Sequence, residues 1–206
     1  MRPVLHAIGR FLLTIVFGVP SVAQITEKQC IVVANHNTHI DTFILFRLFA
    51  LSRVDSVRVV AAKDYFSKGF CGIVGRALFN LILVDRGAAN AEAAMAPIHD
   101  ALHRGDSLIL FPEGSRGEPG VLQRFKTGIG KIAMDFPDIP VFPVYLHGIE
   151  KTLPKGGSVP VPFTIRVQPL PPMYGRNHLG EGASRGRKSF TASLEQAIRS
   201  IREDRD

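Results

Sequence analysis

The feature that most constrains the fold of this chain is a regular alternation between short apolar runs and longer amphipathic stretches. Residues 29–34 (QCIVVA) form one such run, and its β-branched side chains are typical of a strand buried on both faces of a parallel sheet. This alternation predicts an α/β fold, a mainly parallel sheet flanked by helices. The predicted strands are 29–34, 56–61, 80–84, 107–111, 141–146 and 163–167, and the predicted helices are 39–51, 64–77, 88–104, 128–135 and 189–202.

The 206 residues contain neither an internal repeat nor a low-complexity linker, so they predict a single domain over 25–206 and an apolar helix within 1–24. The uninterrupted apolar run 11–19 is shorter than the roughly 20 residues needed to span a bilayer. We expect a helix in the membrane interface, with Arg2 and Arg10 meeting lipid phosphates. A buried core helix and a cleavable signal peptide are the alternatives. The apolar residues at helical spacing are Leu5, Ile8, Leu12, Ile15 and Val19.

Composition narrows the choice of partners and compartment. The net charge of +7, from 25 Lys and Arg against 18 Asp and Glu, favours an anionic partner such as a membrane surface or a phosphorylated molecule. No nucleic-acid partner is expected, because the chain has no Trp and only three Tyr on which bases could stack. Cys30 and Cys71 stand alone, and we expect both to be buried apolar residues of a protein in a reducing compartment.

A polar cluster follows the first predicted strand, at the edge of the sheet where parallel α/β proteins bind ligands. It reads NHNTHID, and it places a carboxylate, Asp41, five residues after His36. Across a turn, that carboxylate would fix the imidazole tautomer and stabilise the protonated ring, which equips His36 as a general base. Two other interpretations stay open. Asp41 could merely cap the next helix, or His36, His39 and Asp41 could bind a metal, although no metal is expected because the spacing differs from common zinc sites.

Further along the chain, several groups are suited to binding phosphate. The loop FPEGSRG follows the fourth strand, where Gly114 lets backbone amides approach an anion and Arg116 offers a fork of donors. In the same loop Glu113 could accept from a substrate hydroxyl or brace Arg116. Lys126 adds a cation before a helix N-terminus, and Arg86 leaves the end of the third strand. Taken by itself, the loop FPEGSRG could equally well be an ordinary solvated loop, and Arg86 could be a surface residue that forms an ion pair.

Taken in order, these clusters resemble the motifs of the glycerolipid acyltransferase family, to which bacterial 1-acylglycerol-3-phosphate acyltransferases belong. The first motif of that family, N-H-x4-D, is matched by Asn35, His36 and Asp41. Its F-P-E-G-[ST]-R motif is matched over residues 111–116. The remaining matches are Arg86 after an apolar strand, an F-K-x-G motif at Phe125, Lys126 and Gly128, and a Val-Pro-Val-like strand with Pro143, Val144 and Gly148. The resemblance covers about residues 29–148.

The resemblance implies an O-acyltransferase of phospholipid biosynthesis, which moves a fatty acyl group from acyl-CoA or acyl-carrier protein to a lysophospholipid, with 1-acylglycerol 3-phosphate as the expected acceptor. It implies that His36 is the general base, oriented by Asp41, and that neither a cofactor nor a covalent acyl-enzyme is needed. The expected location is the cytoplasmic face of the membrane, peripheral or shallowly inserted, because thioester donors are cytoplasmic. The residues expected to bind the acceptor are Arg86, Glu113, Gly114, Ser115, Arg116 and Lys126.

Two other functions remain open at the level of sequence. A serine esterase or thioesterase would use Ser115 as its nucleophile, but the elbow motif G-x-S-x-G needs glycine where Glu113 stands. A non-catalytic membrane-binding module would explain the charge and the apolar N-terminus. That module would leave the spacing of His36 and Asp41 without a role.

Overall fold

The computed structural model describes residues 2–19, 21–36, 38, 40–63, 78–85, 87, 90–114, 121–148 and 165–203, and in these residues six strands form one sheet. The strands are β1 (Ile31–Ala34), β2 (Val57–Ala62), β3 (Leu81–Val84), β4 (Ser107–Leu110), β5 (Val141–His147) and β6 (Arg166–Pro169). The described helices are α1 (Arg2–Phe17), α2 (Ile40–Leu45), α3 (Ala91–His103), α4 (Gly128–Asp135) and α5 (Ala183–Glu203). Three 3-10 helices cover Phe46–Leu48, Leu51–Ser56 and Gly175–Glu181.

The sheet has the strand order β3-β2-β4-β1-β5-β6. The first five strands in this order pair in parallel, and β6 is antiparallel to β5. The predicted α/β fold with a mainly parallel sheet is therefore confirmed. The connection from β1 passes β4 to reach β2, whereas the connection from β4 passes β1 to reach β5. Because the chain leaves these two neighbours in opposite directions, a crevice opens at their carboxyl ends.

Alternate residues of β1 face two apolar layers, one on each side of the sheet. Val32 and Ala34 pack in the layer that contains α2 and Leu13 of α1. Ile31 and Val33 pack in the layer built from α3, α4 and α5. All four residues of β1 are fully buried, as expected for a central parallel strand. The polar residues that follow β1 therefore start from a rigid core.

Two predicted helices have different bounds in the structure. In place of the predicted helix 39–51, the structure has α2 followed by two 3-10 helices. The guanidinium of Arg10 donates to the carbonyls of Phe46 and Phe49, and in a longer α-helix these carbonyls would instead accept from the amides of the following turn. α5 begins at Ala183, before the predicted start at residue 189. Gly186 allows the first turns of this helix to pack closely against the backbone of His178, because a Cβ at position 186 would lie 2.7 Å from the carbonyl oxygen of His178. The predicted helix 64–77 lies outside the described residues.

The N-terminal helix α1 turns polar side chains inward and leaves an apolar face exposed. Arg10 donates to the carbonyl of Phe46 at 2.8 Å, and Arg47 donates in return to the carbonyl of Arg10 at 2.9 Å. Arg2 lies 3.6 Å from the carboxylate of Asp55. For Arg10 the structure differs from the expectation that it faces lipid phosphates, because its guanidinium donates to the carbonyls of Phe46 and Phe49. The expectation for Arg2, which lies on the surface beside Asp55, stays a prediction. The exposed apolar residues of the helix are Val4, Ile8, Phe11, Leu12 and Ile15.

The inner side of α1 is fixed to the domain by a buried histidine. The ring of His6 lies 4.4 Å from that of Phe46, and its Nε2 is 3.0 Å from the carbonyl oxygen of Leu78. Burial lowers the pKa of His6, because a charged imidazolium would lose its hydration there. Val19, expected on the outer face, is fully buried. Among the helices that the structure describes, none is both long and apolar enough to cross a bilayer.

Cys30 is buried immediately before β1, and burial raises the pKa of its thiol from an ordinary 9.0 to about 11. Thiolate is the reactive form, so at pH 8 we expect iodoacetamide to alkylate Cys30 at least about 100-fold more slowly in the folded protein than in urea. Mass-spectrometric peptide mapping distinguishes Cys30 from Cys71, which lies outside the described residues. Equal rates in the two conditions would contradict the buried position.

Candidate active site

The carboxyl end of β1 carries a hydrogen-bonded pair formed by His36 and Asp41. The Nδ1 atom of His36 lies 2.9 Å from the Oδ2 atom of Asp41, as the five-residue spacing predicted. An ionised carboxylate can only accept, so Nδ1 bears the hydrogen and Nε2 is the basic nitrogen of the ring. The side chain of Asp41 is fully buried, whereas that of His36 is 18% exposed. Part of the imidazole is therefore open to the crevice while its partner is not.

The carboxylate of Asp41 is itself held in place by Thr38. The backbone amide of Thr38 donates to Oδ2 at 2.9 Å, and the Thr38 hydroxyl donates to Oδ1 at 2.7 Å. The same hydroxyl accepts from the amide of Ile40 at 3.2 Å, at the start of α2. Asp41 lies in the first turn of α2, where the helix dipole favours a negative charge. The sequence left helix capping and orientation of His36 as alternative roles for this segment. In the structure, the same group of hydrogen bonds does both.

Residues on either side of the pair fix the position of the histidine. The side-chain amide of Asn35 donates to the carbonyl of Leu146 at 3.1 Å and accepts from its amide at 2.8 Å, so it extends the pairing of β1 with β5 by one step. The ring of Phe111, which follows β4, stacks on the His36 ring with centroids 4.0 Å apart and planes at 22°. The backbone and the ring plane of His36 are therefore both constrained.

Glu113 lies under this loop and is turned into the protein. Its Oε1 accepts from the backbone amide of His36 at 2.8 Å, and its Oε2 accepts from the backbone amide of Gln123 at 2.8 Å. The residue is 5% exposed. Burial raises the pKa of Glu113, an effect that the two amide donors partly offset. Glu113 thus bridges two backbone segments, and its contact with an acceptor hydroxyl stays a prediction.

Gly114 and Lys126 lie against each other beside this bridge. Gly114 has a φ of +75°, and a Cβ at this position would lie 2.7 Å from Nζ of Lys126. The backbone amide of Lys126 donates to the carbonyl of Pro112 at 2.9 Å, which joins the two loops. The side chain of Lys126 lies directly over Gly114 and is exposed, so its ammonium can meet an anion from the solvent side.

Several residues with predicted roles lie outside the described residues: Arg86, Ser115 and Arg116 for the acceptor, and His39 for the metal alternative. The strand end next to Arg86 is described. Asp85 accepts from the backbone amide of Gly87 at 2.9 Å and lies 3.2 Å from Nζ of Lys63. These two interactions lower the pKa of Asp85.

The described part of the chain contains other histidine–carboxylate pairs, and their positions separate them from His36 and Asp41. Nε2 of His99 lies 3.1 Å from Asp135, the last residue of α4. Crossover helices run antiparallel to the strands, so the C-terminal ends of α3 and α4 lie at the amino edge of the sheet, away from the crevice. A short distance between a histidine and a carboxylate is therefore not enough to identify a candidate site. His36 and Asp41 are distinguished by their position at the carboxyl ends of β1 and β4.

Comparisons with known proteins agree with this geometry. The sequence model of the acyltransferase family matches residues 19–147 of the chain. The 1-acyl-sn-glycerol-3-phosphate acyltransferase of Limnanthes douglasii is 31% identical over 175 residues, which cover 82% of this chain and 59% of that protein. The protein of the same name from Pseudomonas aeruginosa is 29% identical over 170 residues, which cover 81% of this chain and 61% of that protein. The chain thus spans about three fifths of the length of these relatives.

A solved structure shares the fold. The crystal structure of the 1-acyl-sn-glycerophosphate (LPA) acyltransferase PlsC from Thermotoga maritima superposes with a TM-score of 0.70 at 22% identity, over 96% of this chain and 78% of that one. The family match includes β1 to β5, and with them His36, Asp41, Glu113 and Lys126. This chain therefore belongs to the acyltransferase family, the glycerolipid acyltransferases that its motifs resemble.

Proposed function

We propose that this chain transfers a fatty acyl group from a thioester, acyl-CoA or acyl-carrier protein, to the free hydroxyl of 1-acylglycerol 3-phosphate in phospholipid biosynthesis. The observation that carries the proposal is the 2.9 Å pair of His36 and Asp41 at the carboxyl edge of the sheet. The names of the relatives from Limnanthes douglasii and Pseudomonas aeruginosa support the choice of acceptor.

In the proposed reaction, Nε2 of His36 takes the proton of the acceptor hydroxyl while the oxygen attacks the carbonyl carbon of the thioester. A C–O bond forms, and the C–S bond breaks when the tetrahedral intermediate collapses. The imidazolium then returns its proton to the departing thiolate, so the histidine ends as it began. Asp41, buried and bonded to Nδ1, keeps the ring in the required tautomer and stabilises its charged form. The acyl group never becomes attached to the protein.

We propose further that the phosphate of the acceptor binds the ammonium of Lys126, whose side chain crosses Gly114. The support is the close approach of these two residues at the carboxyl edge, on the same loops that hold the backbone of His36 through Glu113. Charge-assisted bonds from nitrogen donors suit a phosphate monoester. Arg86, Ser115 and Arg116 are assigned to the same anion by their places in the family motifs.

The proposal is tested by incubating the purified chain in detergent with labelled acyl-CoA or acyl-carrier protein and a panel of lysophospholipids. Diacylglycerol 3-phosphate formed by the wild type, and lost in His36→Ala, would establish the reaction and the acceptor. Release of free fatty acid in place of an acylated lipid would favour the thioesterase. If neither product forms although the folded protein binds anionic vesicles, the chain is a binding module.

We propose also that α1 holds the protein on the cytoplasmic face of the membrane, peripheral or shallowly inserted. Among the side chains of α1 that the structure describes, the exposed apolar ones share one face, since they follow each other at intervals of three or four residues, apart from the adjacent Phe11 and Leu12. Arg10 and Arg47 fix the roll of the helix through their reciprocal bonds, so that this face points away from the domain. An interfacial helix buries such a face between lipid headgroups.

Replacing one residue of this face with a charge is expected to weaken vesicle binding. Phe11 is 65% exposed, and Phe11→Asp removes a large apolar side chain that binding would bury; we expect a fall in partition of about 10-fold to 100-fold. The matched control is Leu179→Asp, since Leu179 is 51% exposed and lies in the 3-10 helix Gly175–Glu181, which packs against α4 and α5 on the opposite side of the sheet. Co-sedimentation with phosphatidylcholine–phosphatidylglycerol vesicles measures both. Equal losses in the two variants would count against α1 as the membrane contact.

A further inference from the structure

The segment 121–126, which carries Lys126, has no regular secondary structure, yet its backbone is closely held. Leu122 and Phe125 are buried at 7% and 5% exposure and anchor it to the core. Outside a sheet or helix, the polar groups of a partly buried backbone need side-chain partners. Such partners come from two directions: Glu113 binds the amide of Gln123, and the helix α5 binds the residues on either side.

Two charged residues of α5 supply the second set of bonds. Oε2 of Glu195 accepts from the backbone amide of Phe125 at 2.8 Å. One Nη atom of Arg199 donates to the carbonyl of Leu122 at 3.1 Å, and its Nε donates to Oε1 of Glu195 at 2.9 Å. The two side chains are four residues apart on one helix and orient each other. Both lie beyond residue 147, where the family match ends.

The bonds continue from α5 to the candidate base. Arg199 and Glu195 hold the backbone at Leu122 and Phe125, and between these two the amide of Gln123 binds Glu113. The other oxygen of Glu113 binds the backbone amide of His36. At the far end of the segment, the amide of Lys126 donates to the carbonyl of Pro112, and its side chain crosses Gly114.

We propose that Glu195 and Arg199 are positioning residues, which hold segment 121–126 so that Lys126 meets the phosphate of the acceptor. The inference rests on the proposed function, in which the acceptor phosphate binds the ammonium of Lys126. Neither residue touches the reacting atoms. Their effect passes through the backbone, because Phe125 immediately precedes Lys126 and fixing its amide limits where the ammonium can lie.

The test compares the full-length wild type with Glu195→Ala, Glu195→Gln and Gln196→Ala, the last being an exposed neighbour on the same helix. Steady-state rates are measured against 1-acylglycerol 3-phosphate and against the acyl donor. We expect Glu195→Ala to raise the acceptor KM about tenfold and to leave the donor KM within about twofold. Glu195→Gln keeps one acceptor oxygen for the Phe125 amide. Its amide nitrogen would face Arg199, but that side chain is 37% exposed and, unlike a backbone amide, can turn to water, so the variant should recover most of the affinity. Gln196→Ala should match the wild type.

A double-mutant cycle with Lys126→Met separates positioning from general stability. If Glu195 acts through Lys126, the double variant should have the same acceptor KM as Lys126→Met alone. An unchanged acceptor KM in Glu195→Ala, or effects of the two substitutions that multiply fully, would overturn the proposal. A variant that melts at a lower temperature with unchanged KM values would do the same.

Hydrogen exchange of the peptide spanning 121–127 reads the contact without any substrate. Faster exchange in Glu195→Ala than in Gln196→Ala supports the hold of α5 on this segment, and equal exchange overturns it. If the wild type acylates no lysophospholipid, the proposed function fails, and the exchange experiment still decides whether α5 holds the segment.

Discussion

Replacing His36 with alanine is expected to lower kcat for acyl transfer by about 10³-fold or more, because the reaction loses the group that takes the proton of the acceptor hydroxyl. The fold should survive. His36 follows the buried strand β1 and lies in a loop, and its backbone amide, which binds Glu113, is unchanged in the variant. Initial rates at saturating acceptor and donor measure the effect, and thermal unfolding monitors the fold. A kcat within tenfold of the wild type would remove His36 from the role of base.

Two further variants show whether the rate of acyl transfer depends on the pair of His36 and Asp41, and not on the imidazole of His36 alone. Asp41→Asn retains the size of the side chain but removes the negative charge that stabilises the imidazolium. Where its amide nitrogen takes the place of Oδ2, it also faces Nδ1 of His36 as a donor, which favours the opposite tautomer. We expect kcat to fall by about 10²-fold to 10⁴-fold, since the required tautomer is no longer favoured. The matched control is His99→Ala, which breaks the histidine–carboxylate pair at the amino edge of the sheet and should leave kcat unchanged.

The arrangement of the sheet and the first pair could be predicted because local patterns determine them. Fully buried parallel strands are expected to be nearly continuous apolar runs, and β1 and β4, in which every residue is buried, are such runs. β3 has the same apolar pattern, although it lies at the edge of the sheet and only one of its residues is buried. The hydrogen bond of His36 to Asp41 spans five residues and one turn, so the spacing in the sequence nearly dictates it. Thr38, which also binds Asp41, lies within the same turn.

The orientation of α1 could not be predicted in the same way. A helical period shows which residues share a face, but not whether that face meets the core or the solvent. Here the decision depends on distant partners. The carbonyls of Phe46 and Phe49, at the ends of a 3-10 helix, recruit Arg10, and the carbonyl of Leu78 lies beside the ring of His6. These polar contacts bring the charged side of the helix inward and leave Phe11 and its neighbours outside.

The hydrogen-bond partners of Glu113 were equally hidden from the sequence. Its motif suggests a side chain that faces the substrate, as a glutamate beside two glycines and an arginine in a loop would. In the structure its two oxygens meet the amides of His36 and Gln123, which are 77 and 10 residues away along the chain. Glu195, 70 residues from Phe125, was missed for the same reason. Side chains that bind backbone amides far away along the chain leave no pattern in a sequence, because every residue other than proline offers the same donor.

Replacing Glu113 with alanine is expected to lower both stability and kcat. The variant leaves two partly buried amide donors without a partner, those of His36 and Gln123, each at a cost of about 1–3 kcal/mol. Burial of the Glu113 carboxylate, which raises its pKa, is itself unfavourable, so removing the carboxylate offsets part of this loss of stability. We therefore expect the free energy of unfolding to fall by about 2 kcal/mol, with a loss in kcat of about 10²-fold as the loop of His36 shifts. Urea unfolding and saturating initial rates measure the two effects.

Glu113→Gln distinguishes this role from direct contact with the acceptor. A glutamine fills the same space, but one of its two polar ends is an amide nitrogen, which would face the N–H of His36 or of Gln123 and repel it. For a bridge between backbone segments, we expect Gln to be nearly as damaging as Ala, in stability as well as in kcat. A residue that only binds the acceptor hydroxyl would behave differently: both variants would raise the acceptor KM, and the unfolding free energy would stay that of the wild type. The unfolding curve of Glu113→Gln, which involves no substrate, therefore decides between the two roles.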